Sequence, residues 1–211
     1  MTEQLKEGLA QLGLTPPEGA VAQMVRYAGL LLEQNKVMNL TAIKEPAQVA
    51  ALHFLDSAAL LGCADLRGKS LVDSLGKRLD WLGEVCGALG LEGVERRHAR
   101  AEELALQSGW RDSFDFATAR AVAELRVLCE ICLPYVKVGG RFLAMKAADC
   151  DEELSAAAHG AELLGGRLLP SYRYHIPGTE VDRRVIVVEK VAPTPKGYPR
   201  RWAKIQKSPL S

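Results

Sequence analysis

The 211-residue chain has no apolar run long enough to span a bilayer, and its opening, MTEQLKEGLA, lacks the apolar core of a signal peptide. A cytoplasmic protein is the expectation. Charge of one sign is also lacking. With a net charge of +1, any polyanionic partner must be met by a local basic patch. A disulfide framework is not expected, because Cys63, Cys86, Cys129, Cys132 and Cys150 are odd in number and irregularly spaced. Cys129-x-x-Cys132 invites a zinc or redox reading. No second cysteine pair and no histidine at ligand spacing accompany it, so buried apolar thiols are expected and no metal. There is no convincing His/Asp catalytic set. Nor does a Gly-rich fingerprint follow the first strand, which speaks against a dinucleotide enzyme.

What remains is ordinary soluble material, 48% apolar and 25% charged, in a length suited to one α/β domain with a helical extension. Leu5, Leu9 and Leu12 share a helical face that Gly13 and the Pro16-Pro17 pair bring to an end. A second stripe, from Val21 to Leu32, predicts a helix over about 19–36. Pro46 suits the first turn of a third helix, reaching about Leu61 and carrying His53, Asp56 and Ser57. Residues 1–62 therefore read as a helical segment.

From Lys69 the texture alternates: strand SLVD, helix 74–89, strand VERRH (94–98), a short helix 102–107, strand FDFATA, helix 123–135, a Gly-Gly turn, strand RFLAMK and helix 151–164. Such alternation predicts a mostly parallel sheet. LLPSYRYHI, the turn PGTE and RRVIVVEK read as an antiparallel pair closing it. This domain covers 63–190. Within it, polar residues sit where strands stop, at Ala101-Glu102, Arg120 and Lys146, the edge where open α/β sheets bind ligands.

A basic tail, 191–211, follows. From Lys190 onward there is no acidic residue, while Lys190, Lys196, Arg200, Arg201, Lys204 and Lys207 interleave with Tyr198 and Trp202. Basic groups with aromatics suit RNA. A tail whose aromatics simply dock on the sheet fits the composition equally well.

Six segments in order, NLTAIKEPAQVAALHFLDSAAL (39–60), DSLGKRLDWLGEVCGALGL (73–91), HARAEEL (98–104), FDFATARAVAEL (114–125), LPYVKVGGRFLAMK (133–146) and RRVIVVEK with PTPKGYPRRWAKIQKSPL (183–210), resemble the RsmG family, also called GidB. The resemblance covers nearly the whole chain. It implies a class I S-adenosylmethionine-dependent methyltransferase domain, Rossmann-like, behind N-terminal helices, with one antiparallel strand near the end of its sheet. It also implies an enzyme methylating N7 of a guanine in 16S ribosomal RNA, on a folded small ribosomal subunit or its precursor; a monomer is the expectation.

By the same resemblance, Ala101 and Glu102 contact the adenine part of the cofactor, and Arg120 belongs to both the cofactor site and the catalytic centre. Asp73 is a further cofactor candidate. Lys146, Arg200, Arg201, Lys204 and Lys207 are the RNA-binding candidates. Asn39, Thr41, His53, Asp56 and Ser57 match family positions: Asn39 and Thr41 are expected to shape a loop over the site, and His53, Asp56 and Ser57 to form a structural hydrogen-bond network, with a catalytic role as the alternative. Guanine N7 carries a lone pair and no proton. No general base is needed, and positioning should dominate catalysis.

The chain departs from the family at one place. A loop of the form GxGxGFPG, a helix and a second strand should lie between SLVD and the helix DWLGEVCGAL, but Asp73 runs straight into Ser74. A crossover between parallel strands needs a dozen or more residues, and none remain. The first strand and VERRH are then left with no strand between them. Either this sequence omits a segment, the expected reading, or the chain carries an internal deletion. The clean match on both sides speaks against a third reading, in which 69–73 is not the first strand. A non-catalytic RNA- or ribosome-binding module that keeps the fold without the loop is the alternative function.

Overall fold

The computed structural model describes residues 1–73 and 79–210. Its internal contacts divide it into two units. One comprises Met1–Asp65, the stretch to His98 and Tyr174–Val181; the other comprises the segment from Leu66, then Ala99–Arg173 and Asp182 onward.

The first unit is helical. α1 (Thr2–Gln11) and α2 (Ala20–Met38) form where the apolar stripes predict them. The expected third helix is less regular. α3 (Pro46–Val49) leads into a π-helical stretch, Ala50–Leu55, then α4 (Asp56–Ala58) and a 3-10 turn, Ala59–Gly62. Leu5, Leu9, Ala50 and Leu55 make one core cluster. Ala28, Leu31 and Val49 make another with Trp81, Val85 and Leu89 of α5 (Leu79–Leu89). The first five residues of the helix expected over 74–89 lie outside the described residues.

The second unit holds the sheet. β1 (Leu71–Asp73), β2 (Phe114–Arg120) and β3 (Val136–Ala147) run parallel. β6 (Asp182–Lys190) lies antiparallel to β3 and to β4 (Gly166–Leu168). The order is β1-β2-β3-β6-β4, with β5 (Tyr172–His175) also pairing with β6. This is the mostly parallel sheet with one antiparallel strand that the family resemblance implies. α6 (Ala101–Leu104), α7 (Leu125–Cys132) and α8 (Asp151–Leu163) occupy the connections, and α9 (Trp202–Lys207) lies in the tail.

Alternate strand residues, Ala117 and Ala119, Phe142 and Ala144, Ile186 and Val188, form one core with Leu125, Leu128, Leu133 and Ile205. Leu143, Val185 and Val187 on the opposite face are buried too, as expected of inner strands. Truncating the fully buried Phe142 to alanine costs about 3–5 kcal/mol.

Three expectations need correction. VERRH is not a strand; residues 94–98 carry no sheet pairing. A strand is held by pairing with its neighbours, and residues 94–98 have no such pairing. LLPSYRYHI is broken into β4 and β5, with Pro170 between them unable to donate a ladder hydrogen bond. Gly139-Gly140 is no turn before β3 but lies inside it. Gly139 takes φ +86°, and a Cβ at Gly140 would come within 2.5 Å of the Asp115 carbonyl oxygen, so the pair lets β3 pass close to β2.

Candidate functional site

In the second unit, parallel pairing brings three expected positions to one edge. Asp73 ends β1 opposite Thr118, and Arg120 ends β2 opposite Met145, the residue before Lys146 on β3. All three lie at the C-terminal ends of parallel strands, where such sheets bind ligands. The Asp73 side chain lies outside the described residues. Arg120 is half-buried, and the next residue, Ala121, adopts φ +55°, so the chain turns sharply there.

Ala101 and Glu102 open α6, where first-turn amides have no partner within the helix. The Glu102 side chain is 7% exposed, and its Oε1 accepts from Arg100 Nε at 2.7 Å. The Arg100 guanidinium sits 6.0 Å from the centre of the Trp202 ring on α9. The Tyr135 hydroxyl donates to the Ala101 carbonyl at 2.6 Å, and burial pushes its ionisation well above the usual phenol range, so it stays a donor. A carboxylate and a helix-start amide form a donor–acceptor set that fits the edge of an adenine ring.

Of the five RNA candidates, three are exposed: Arg201, Lys204 and Lys207. The other two have paired charges. Lys146 donates to Glu153 at 2.5 Å and to the Ala123 carbonyl at 2.8 Å. Glu153 also accepts from the amide of Leu125, which begins α7. Arg200 is bound to Glu130 of α7 at 2.6 Å, with 13% and 0% of the two side chains exposed. Lys190 is buried rather than part of a basic surface, with its ammonium held by Asp112, Thr194 and the Leu133 carbonyl. Desolvation lowers its pKa below the usual lysine value.

In the first unit, the Asn35 carboxamide accepts from the Thr41 amide at 2.8 Å, and Thr41 Oγ1 lies 3.1 Å from His53 Nε2. The Tyr174 hydroxyl donates to the buried Asp56 at 2.5 Å. Asn39 closes α2 with φ +46°. Among the described residues no group of His, Cys, Asp or Glu could hold a metal ion. No helix among them is long and apolar enough to cross a membrane. Cys129 and Cys132 are both buried.

Sequence reasoning missed Glu130, Arg100, Arg111 and Asp112. Glu130 left a signal, as a lone carboxylate among the apolar residues of LCEIC.

The family model described as rRNA small subunit methyltransferase G (GidB) matches residues 63–174. Three proteins named ribosomal RNA small subunit methyltransferase G match almost end to end. That of Alkaliphilus metalliredigens is 36% identical over 232 positions, covering 98% of this chain and 97% of the relative. That of Exiguobacterium sibiricum is 38% identical over 234, covering 99% and 98%. That of Geobacillus thermodenitrificans is 39% identical over 233, covering 98% of each. Since 98% of 211 residues is about 207, about 25 of the 232 positions in the first alignment have no counterpart here. With a family model over half its length and such identities over nearly all of it, the chain belongs to the ribosomal RNA small subunit methyltransferase G family.

Proposed function

We propose that this chain transfers a methyl group from S-adenosylmethionine to N7 of a guanine in 16S ribosomal RNA. One observation carries the reading: identity of 36–39% with methyltransferases of that name, over 98–99% of this chain and 97–98% of each relative. The cofactor, when bound, supplies an electrophilic methyl group.

The chain's own residues supply positioning. Glu102 and the Ala101 amide hold the adenine edge. Arg120 faces the reacting centre, where its guanidinium orients the guanine through O6 or a phosphate while N7 stays open to the methyl. N7 gives up no proton when it attacks, so no residue acts as a base. Asp73 belongs to the ribose and methionine side. We place the roughly 25 positions without a counterpart directly after it, at Asp73-Ser74.

Arg201, Lys204 and Lys207 contact the RNA backbone. The charges of Lys146 and Arg200 are already met by Glu153 and Glu130. The proposal includes a cytoplasmic monomer acting on the small subunit, for which light scattering should return the mass of one chain and not a multiple of it.

Calorimetric titration of S-adenosylmethionine into the purified chain tests the reading. Saturable one-site binding is expected, and no binding would favour the non-catalytic RNA-binding module. Arg120→Ala should keep the melting temperature and lower methylation about a hundredfold or more.

A further inference from the structure

Where the tail returns to the sheet, within the second unit, it is held at three successive points. Lys190 Nζ donates to Thr194 Oγ1 at 2.6 Å. Arg111 donates to the carbonyls of Thr194 at 2.7 Å, Pro195 at 3.2 Å and Tyr198 at 2.8 Å. Glu130 then accepts three hydrogen bonds from Arg200: from its backbone amide at 2.9 Å, from Nε at 2.7 Å and from Nη2 at 2.6 Å. Arg200 Nη2 also donates to the Ser208 carbonyl at 3.0 Å. Arg201 and Ser208 cap the two ends of α9. One guanidinium thus joins the buried carboxylate on α7 to the far end of the tail helix.

Stability alone does not account for this pair. A buried ion pair is commonly no more stabilising than an apolar replacement of the same volume. What an apolar pair cannot supply is the fixed orientation of a planar fork bound through two nitrogens. The element so oriented carries Arg201, Lys204 and Lys207, all exposed.

We infer that Glu130 is a positioning residue for RNA recognition. It holds Arg200 as a brace across α9 and fixes Arg201, Lys204 and Lys207 in one arrangement before RNA arrives. The inference rests on the tail being the RNA-binding element. A cationic surface ordered in advance binds without the loss of side-chain and loop freedom that a loose tail would suffer.

Glu130→Gln and Arg200→Lys, compared with the wild type on a 16S rRNA transcript over a range of salt, test it. Both variants should raise Kd and KM for RNA about tenfold, since the order of the tail is lost. The change should fall on KM rather than kcat, and S-adenosylmethionine affinity should hold. Glu130→Gln should also steepen the salt dependence by about one phosphate contact, because the released Arg200 becomes available to RNA.

Wild-type RNA affinity in Arg200→Lys would overturn the inference. A lowered melting temperature in Glu130→Gln with KM unchanged would do the same, leaving Glu130 a merely structural residue. If Glu130→Gln does not fold, Arg200→Lys decides alone. A wild-type chain that binds no RNA removes the reading of the tail and the inference together, whereas RNA binding that both variants leave untouched removes only the inference.

Discussion

Lys190 and Cys129 show how single side chains of this fold are set by burial. The Lys190 side chain is fully buried, and its ammonium satisfies all three donors on Asp112, Thr194 and the Leu133 carbonyl. Removing it leaves those acceptors without their cation. Lys190→Ala should therefore destabilise the protein by about 3 kcal/mol in urea unfolding. Cys129 is a thiol whose pKa burial pushes up from 9.0 to about 12. Above pH 9 the unfolded chain ionises this thiol and the folded one does not, so its contribution to stability is complete below pH 9 and is lost as pH rises towards 12. Since the thiolate is the nucleophile, iodoacetamide at pH 8 should leave native Cys129 unmodified and label it once the chain is unfolded. Labelling of the native protein, read by peptide mass, would count against this burial.

At the scale of elements, α9 presents Arg201, Lys204 and Lys207 at intervals of three residues. Replacing all three by glutamine should weaken binding of a 16S rRNA transcript and reduce the slope of log K against log salt by about two to three. An unchanged slope would place the RNA surface elsewhere. Local pattern made much of the architecture legible: the Leu5, Leu9 and Leu12 stripe, the apolar cores of β2, β3 and β6, and the polar residues ending β2 and β3. VERRH misled because a strand depends on partners as well as on residue type. LLPSYRYHI misled because Pro170 was read through. The tail defeated sequence reading for another reason. Lys190 meets Asp112 across 78 residues and Arg200 meets Glu130 across 70, and nothing in the local pattern of RRWAKIQK tells a paired arginine from an exposed one. The proposed adenine side was read from HARAEEL, whose Arg100 the family motif did not mark although it binds Glu102.

For the whole molecule, a net charge of +1 provides little steering of RNA by overall charge, so the proposed recognition rests on the basic tail. The sheet keeps β1, β2 and β3 parallel and aligned at the edge that carries Arg120, even though about 25 positions of the relatives have no counterpart. Whether that edge performs methyl transfer is tested most directly by incubating the chain with S-adenosylmethionine and 16S rRNA or small subunits, then mapping 7-methylguanine by borohydride reduction and aniline cleavage. The account predicts new cleavage at one guanine that requires the cofactor and disappears with Arg120→Ala. RNA that binds the chain yet shows no new cleavage at any guanine would contradict it.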